Sequence, residues 1–346
     1  MVHSYPTTYL FLQAQANVNP KFFYIAIAFT TALILVLVMA LLVMLLLKNE
    51  ANLKHQQLQS QFKDWLVGII LEETDEHHQS FDVPENIRQL LKKRFAKRVL
   101  LQELKGLKYS LSGQPGQNLE KVYRQLDLQL LSSKNLRSKK WHLKARGIQE
   151  VAAMNHTELI EDITLLTNNK NPGIRMEAQI ALVLLQQYKG LHFFENLVYP
   201  LTEWHQIKLL QLLANQPIPS EEVITKWLLS SNASVVQFTL KLIGEQHASH
   251  FQNEVISCLS HKSEIVRKQA IICLGEIPSA PAASALKFLY AHETDKELQM
   301  TILAELIKTG TATDVPFLLE LQQTQDADIK LAIDKALSYL QEQVVS

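Results

Sequence analysis

The chain has 346 residues, 47% of them apolar and 20% charged, with 34 Lys/Arg balanced by 34 Asp/Glu. That apolar share excludes an intrinsically disordered chain, and the 10 glycines, 11 prolines and 2 cysteines exclude collagen-like and disulfide-framed ones. The zero net charge hides two poles: Leu91 to Glu150 carries 15 Lys/Arg against 4 Asp/Glu, a net of +11, and Val151 to Ser346 carries 14 against 22, a net of −8.

Residues 1–20 contain no Asp, Glu, Lys or Arg, and neither do the 26 residues from Phe22 to Leu47, which are overwhelmingly apolar and bracketed by Lys21 and Lys48. At about 1.5 Å per residue this run reaches roughly 39 Å, longer than the ~30 Å hydrocarbon core of a bilayer, and predicts a transmembrane helix. A cleavable signal peptide fits less well, because the uncharged lead is long and no small-x-small cleavage site precedes Lys48. Lys48, Lys54 and Lys63 follow the run closely and only Lys21 precedes it, so the N-terminus is expected outside and everything after Lys48 in the cytoplasm, as a single-pass protein. Ala28 and Ala32 form a small-xxx-small pair, for which two ordinary lipid-facing alanines are the simpler reading.

Past the span, Leu58, Phe62, Trp65, Leu66, Ile69 and Ile70 keep a helical period, so the helix is expected to continue until the polar run Glu72 to His78 ends it. That run is read as a solvated linker rather than a metal site, since its acids and histidines crowd one loop with no second ligand group. Asp82-Val-Pro-Glu85 then predicts a helix start with Asp82 as cap and Glu85 closing a capping box. One long helix is expected after it, burying Ile87, Leu90, Leu91, Val99, Leu100, Leu104, Leu107 and Leu111 and stopped by Gly113. Ser112 to Gly116 reads as a turn, followed by a shorter helix with Leu119, Val122, Tyr123 and Leu126, and then by a stripe of Trp141, Ala145, Ile148 and Ala152.

From there a pattern recurs. In Lys262 to Ile277 the apolar positions Ile265, Val266, Ala270, Ile271, Leu274 and Ile277 fall three and four apart, on one helical stripe. Laid over the rest, this segment puts Arg175, Gln206, Val236, Arg267, Gln299 and Lys330 in register, about 31 residues apart. That period suits one helix pair, which cannot bury its apolar face alone and therefore stacks on its neighbours. Helices are predicted over 172–187, 192–198, 202–214, 220–229, 234–246, 251–259, 263–277, 281–291, 296–309, 315–322 and 328–341, with Asn171, Asn232, Asp295 and Asp326 placed to cap. Cys258 and Cys273 occupy apolar helical positions and read as buried thiols.

Val266-Arg267-x-x-Ala270-x-x-x-Leu274-Gly275-Glu276-Ile277 and Asn171-Pro-Gly-Ile-Arg175-x-x-Ala178-x-x-Ala181-Leu182 resemble HEAT repeats of the short, PBS-lyase-like kind, over roughly residues 138–341. The resemblance implies that Arg175 and Arg267 tie neighbouring units together and that Ala178, Ala270 and Gly275 permit close helix approach. Gln206, Val236, Gln299 and Lys330 depart from the arginine of that pattern. The layout of one span, a basic helical region and then repeats also resembles membrane-anchored bacterial HEAT-repeat proteins, some of them associated with membrane glycosyltransferases.

The expected fold is therefore all-α: an uncharged tail (1–21), a transmembrane helix (22–47), a juxtamembrane helix and acidic linker (48–81), a basic helical region (82–137), and a right-handed α-solenoid of HEAT-like pairs (138–346). No P-loop, nucleophile elbow, HExxH or glycine-rich dinucleotide turn occurs in the sequence. The expectation is a non-enzymatic membrane-tethered scaffold without cofactor or metal, binding a protein partner at the membrane. The basic residues Arg94, Lys97, Arg98, Lys139, Lys140, Lys144 and Arg146 are the candidate docking surface, for an acidic partner or for anionic lipid. Two alternatives stay open: a HEAT-like DNA glycosylase using Trp141, Trp204 and Trp227, against which the acidic array repels phosphate, and a tetrapyrrole lyase or chaperone.

Overall fold

The computed structural model describes residues 20–72, 80–309, 314–323 and 326–345. The tail up to residue 19 and the acidic, histidine-bearing run 73–79 lie outside them. Helices account for the regular structure, with no strand among the described residues. The chain divides into two compact units, Met1–Leu107 with Leu111–Leu119, and Lys108–Ser110 with Glu120–Ser346.

The first unit is organised on α1, a helix of 52 residues from Pro20 to Leu71. Its first part is long and apolar enough to cross a membrane, and its side chains there are exposed throughout. Without a break it becomes amphipathic: Phe62, Leu66 and Ile69 are buried. Against this part lie α2 (Glu85–Leu90) and α3 (Arg94–Ser110), and the start of α4 (Gly113–Gln125). Side-chain contacts fix the levels along α1. The Phe95 ring meets that of His55 edge-on at 6.3 Å, Gln59 donates to Glu103 Oε1 at 2.8 Å, Trp65 Nε1 donates to the Asp82 carbonyl at 3.2 Å, and Asn118 Nδ2 donates to the Ile69 carbonyl at 3.0 Å.

Three sequence expectations change here. Asp82 and Glu85 form no capping box: α2 starts at Glu85 with Pro84 at its cap position, and no side chain caps it. The long helix from 85 is two helices, with a turn at Leu91 to Lys93. Phase explains the break, because at 100° per residue an unbroken helix would put Ala96 and Leu100 on the face opposite Ile87. The turn resets the phase so that Ile87, Leu91, Ala96 and Leu100 are all buried. Finally, Gly113 starts α4 instead of only ending α3; its φ of +67° is open to glycine, and Pro115 is tolerated in a first turn.

The second unit is an array of short helices: α5 (Gln129–Leu136), α6 (Trp141–Ala153), α7 (Ile160–Thr164), α8 (Pro172–Gln186), α9 (Glu203–Leu213), α10 (Glu221–Leu228), α11 (Ala233–Glu245), α12 (Gln252–Cys258), α13 (Glu264–Glu276), α14 (Ala280–His292), α15 (Lys296–Thr309), α16 (Val315–Leu321) and α17 (Ala327–Val345). The first helices of successive pairs stack in a row, α6 on α8, α8 on α9, α11 on α13, α13 on α15 and α15 on α17, and one apolar core runs from Leu136 to Leu337. Caps start the helices as the sequence implies. Asn171 Oδ1 accepts from the backbone N–H of Gly173 and Ile174, Asn232 Oδ1 from Ser234, Asp295 Oδ1 from Leu298, and Asp326 Oδ1 from Asp328 and Ile329.

The predicted helix 192–198 is a 3-10 run over Gln187–Asn196, entered through Gln187 at φ +54°, which ends α8 and folds the chain back on it. Helix α5 has no counterpart in the apolar pattern, because two of its buried positions, Ser132 and Asn135, are polar. Gly147 of α6 lies where a Cβ would stand 2.2 Å from the Leu136 backbone nitrogen, so only glycine permits this α5–α6 approach. Ile265, placed on the buried stripe by spacing, is 60% exposed, and so is most of Trp141, whereas Ala270, Ile271 and Leu274 are buried.

Candidate functional site

The register residues have a local task. Arg175 Nη1 donates to the Asn169 carbonyl at 2.7 Å, Gln206 Nε2 to Leu201 at 3.3 Å, Arg267 Nη1 to His261 at 3.1 Å, and Gln299 Nε2 to Glu293 at 2.8 Å. Each side chain thus reaches back five or six residues and satisfies a carbonyl of the turn that precedes its own helix. Glutamine replaces arginine without loss of the bond, which is why the register survives the change of residue. Two of the four also reach a neighbour: Arg175 lies 4.1 Å over the Tyr199 ring, and Gln206 donates to Gln237 Oε1 at 2.9 Å. Val236 cannot make such a bond, and at that pair Asn232 Nδ2 donates to the Leu197 carbonyl while Ser234 Oγ accepts from Leu201 N–H.

Between pairs run further polar ties at repeat spacing. Lys226 pairs with Glu195 at 2.7 Å, Lys268 with Glu297, Lys296 with Asp328 at 2.7 Å, and Lys308 with Glu276 at 2.8 Å, while within α15 Lys308 also meets Glu305 at 2.9 Å. Most are exposed and each adds little to stability. Around them the close-approach residues are fully enclosed: Ala178 and Ala270 are 0% exposed, and a Cβ on Gly275 would fall 1.8 Å from Glu305 Oε2. Burial holds the Glu305 carboxyl above its usual range against the pull of Lys308.

One buried group stands apart electrostatically. His205 of α9 is 2% exposed, and its Nε2 has no hydrogen-bond partner. Desolvation, helped by the Arg175 charge, brings its pKa down to about 4, so the ring is neutral at pH 7. Cys258 and Cys273 are free and buried, and burial raises both thiols, Cys258 to about 11.

The residue directly after the register position is apolar in four helices of the row: Met176, Ile207, Met300 and Leu331. Ile207 is 49% and Leu331 57% exposed, with Trp204 at 59% one turn before Ile207. Between α15 and α17, Met300, Ala304, Ile307, Leu331 and the stems of Lys296 and Lys335 line a groove of about 380 Å³. The sequence register contains these positions, but their exposure depends on how the helices stack.

The basic residues do not form a single cluster in one unit. Arg94, Lys97 and Arg98 follow one another on α3 in the first unit, with Arg94 and Arg98 exposed. Lys139, Lys140, Lys144 and Arg146 open α6 in the second. Of the three tryptophans of the glycosylase alternative, Trp227 is buried, its ring 5.3 Å from that of Phe194. Among the described residues no group of three or more His, Cys, Asp and Glu is arranged to hold a metal ion.

No curated protein matches the chain. Among solved structures it is similar to human deoxyhypusine hydroxylase in complex with glycerol, at 14% identity and a TM-score of 0.34, over 75% of this chain and 96% of that one. It is also similar to the phycocyanin lyase complex of a Nostoc species (13%, TM-score 0.23, 78% and 99%) and to a designed armadillo repeat protein (14%, TM-score 0.23, 74% and 98%). Likenesses this distant carry no argument about activity. The HEAT-repeat family matches residues 253–338, the stretch from α12 to α17. Over those residues the chain carries the HEAT-repeat pattern.

Proposed function

We propose that the chain is a membrane-anchored scaffold whose helix-pair array, residues 138–346, binds a protein partner along the row of first helices. The observation that carries this reading is the recurrence of an apolar side chain after the register residue, exposed at Ile207 and Leu331 and bordered by the groove at Met300. Exposed apolar positions repeated along a stacked array suit an extended polypeptide surface. Lys139, Lys140, Lys144 and Arg146 give the N-terminal end of that row a positive rim, which favours a partner with acidic residues there. Changing Ile207 and Leu331 together to Glu should leave melting nearly unchanged, since both are exposed, and should remove the protein that co-purifies with the full chain from membranes. Retention of that protein by the double variant overturns the row as the binding surface.

The anchor is the apolar half of α1, residues 22–47, with the juxtamembrane part over 48–81 and the basic helical region over 82–137 as its connection to the array. Its complete exposure and the lysines at 48, 54 and 63 support a span with the array in the cytoplasm. A reporter active only outside the cytoplasm, fused after Ser346, should be silent; strong activity reverses the orientation. A bilayer-located partner, such as a membrane enzyme, fits this placement.

A further inference from the structure

The bonds along α1 give the first unit a direction. Asp82 sits at the level of Trp65, and Phe95 at the level of His55, so the chain climbs back along α1 through α2. From there α3 runs parallel to α1, with Phe95 beside His55 and Glu103 beside Gln59 and Lys63. The turn Leu91 to Lys93 and the first turn of α3 are therefore the part of this body nearest the apolar segment. That corner reads Lys92-Lys93-Arg94-Phe95-Ala96-Lys97-Arg98. Lys92, Lys93, Arg94 and Arg98 are exposed, as is Phe95 at 48%. None of the five cations is in an ion pair among the described residues, whereas the acids nearby are engaged: Glu50 with Lys54, Glu85 with Arg88 and Glu103 with Lys63.

We infer that this corner is a docking surface for the anionic headgroups of the bilayer that α1 enters. The inference rests on reading residues 22–47 as a span. His55 lies eight residues beyond Leu47, about 12 Å along a helix. The headgroup layer takes up about 5–8 Å of that, which leaves the corner within about one Debye length of the charged surface, roughly 8 Å at physiological salt. Lysine and arginine stems bridge the remaining gap, and an exposed phenylalanine among them suits the interface. Unpaired positive charge at that height, on a helix that has no break between span and body, favours lipid over a soluble acidic protein, which would need no such placement.

The test uses the full chain reconstituted in vesicles of phosphatidylcholine, alone or with a third of it replaced by phosphatidylglycerol, each with a trace of headgroup-nitroxide lipid. A fluorophore goes on Gln89→Cys, exposed on α2 beside the corner; Cys258 and Cys273 are buried with raised thiol pKa values and do not compete for label. Quenching should be at least about threefold greater in the anionic vesicles, because surface potential acts on every cation of the corner at this distance. Lys92→Glu with Lys93→Glu and Arg94→Glu should return it to the phosphatidylcholine level. So should about 0.5 M salt on the unreversed chain, where the Debye length falls to roughly 4 Å, and this arm needs no folding assumption about the reversals. Equal quenching in both vesicle types, in a chain that resists alkaline extraction, overturns the inference and leaves the span intact. A chain that is extracted by alkali loses the span itself, and the inference with it.

Discussion

Ala270→Arg should lower the melting temperature of the full chain more than any surface change. Ala270 is 0% exposed on α13, which packs between α11 and α15. A guanidinium there adds volume to a closed contact and buries a charge without a partner, at a cost of roughly 3 kcal/mol or more. For a body of this size each kcal/mol is worth about 2–4 °C, so a drop near 10 °C is expected in a thermal scan followed by circular dichroism. Ala270→Gly removes only a methyl group and adds backbone freedom, and should cost about 1 kcal/mol. If the arginine variant melts with the wild type, the α11–α13–α15 packing described above is wrong.

Mild acid should destabilise the array through His205. Its folded pKa of about 4 lies below the value of about 6.5 for an unfolded histidine. The unfolded chain therefore takes up the proton first as pH falls. The stabilising preference for the neutral ring is intact above about pH 6.5, declines between there and about pH 4, and is gone below it. Between pH 7 and pH 5 this one group should remove about 2 kcal/mol, and about 3 kcal/mol in all. His156, whose imidazole is also lowered by burial, acts in the same direction. Urea denaturation at the two pH values, repeated on His205→Gln, isolates the contribution: the variant should lose most of the difference, and an unchanged difference would assign the acid sensitivity to other groups.

The parts of this fold that sequence makes legible are those set by local rules. Asn171, Asn232, Asp295 and Asp326 announce helix starts because a short polar side chain satisfies backbone donors two or three residues on, whatever surrounds it. The register at Arg175, Gln206, Arg267 and Gln299 is legible for the same reason, each side chain bonding its own preceding turn. What pattern alone misses is decided by partners distant in sequence. Helix α5 buries Asn135 against the Glu150 carboxylate at 3.0 Å, so polarity there does not mean exposure. The break at Leu91 to Lys93 shows in the spacing only as a change of phase between Leu91 and Ala96, and it takes the packing of α3 on α1 to make both phases buried. Likewise the residues after the register positions are visible in the sequence, but whether Ile207 faces solvent and Gln237 does not is settled only by stacking.

The unbroken course of α1 from its apolar half to Phe62 has a consequence for how the chain can vary. A helix without a hinge transmits azimuth: every residue inserted between Lys48 and His55 would swing the body behind it by 100° and lengthen the rod by about 1.5 Å. Seven residues bring the heading back to within about 20°, and eleven do so nearly as well with the opposite sign. Related chains that keep the Lys92 to Arg98 corner on one side of the rod should therefore differ in this stretch by such steps, and a single-residue insertion there should act as a rotation, felt at Phe95 long before it is felt as a change in length.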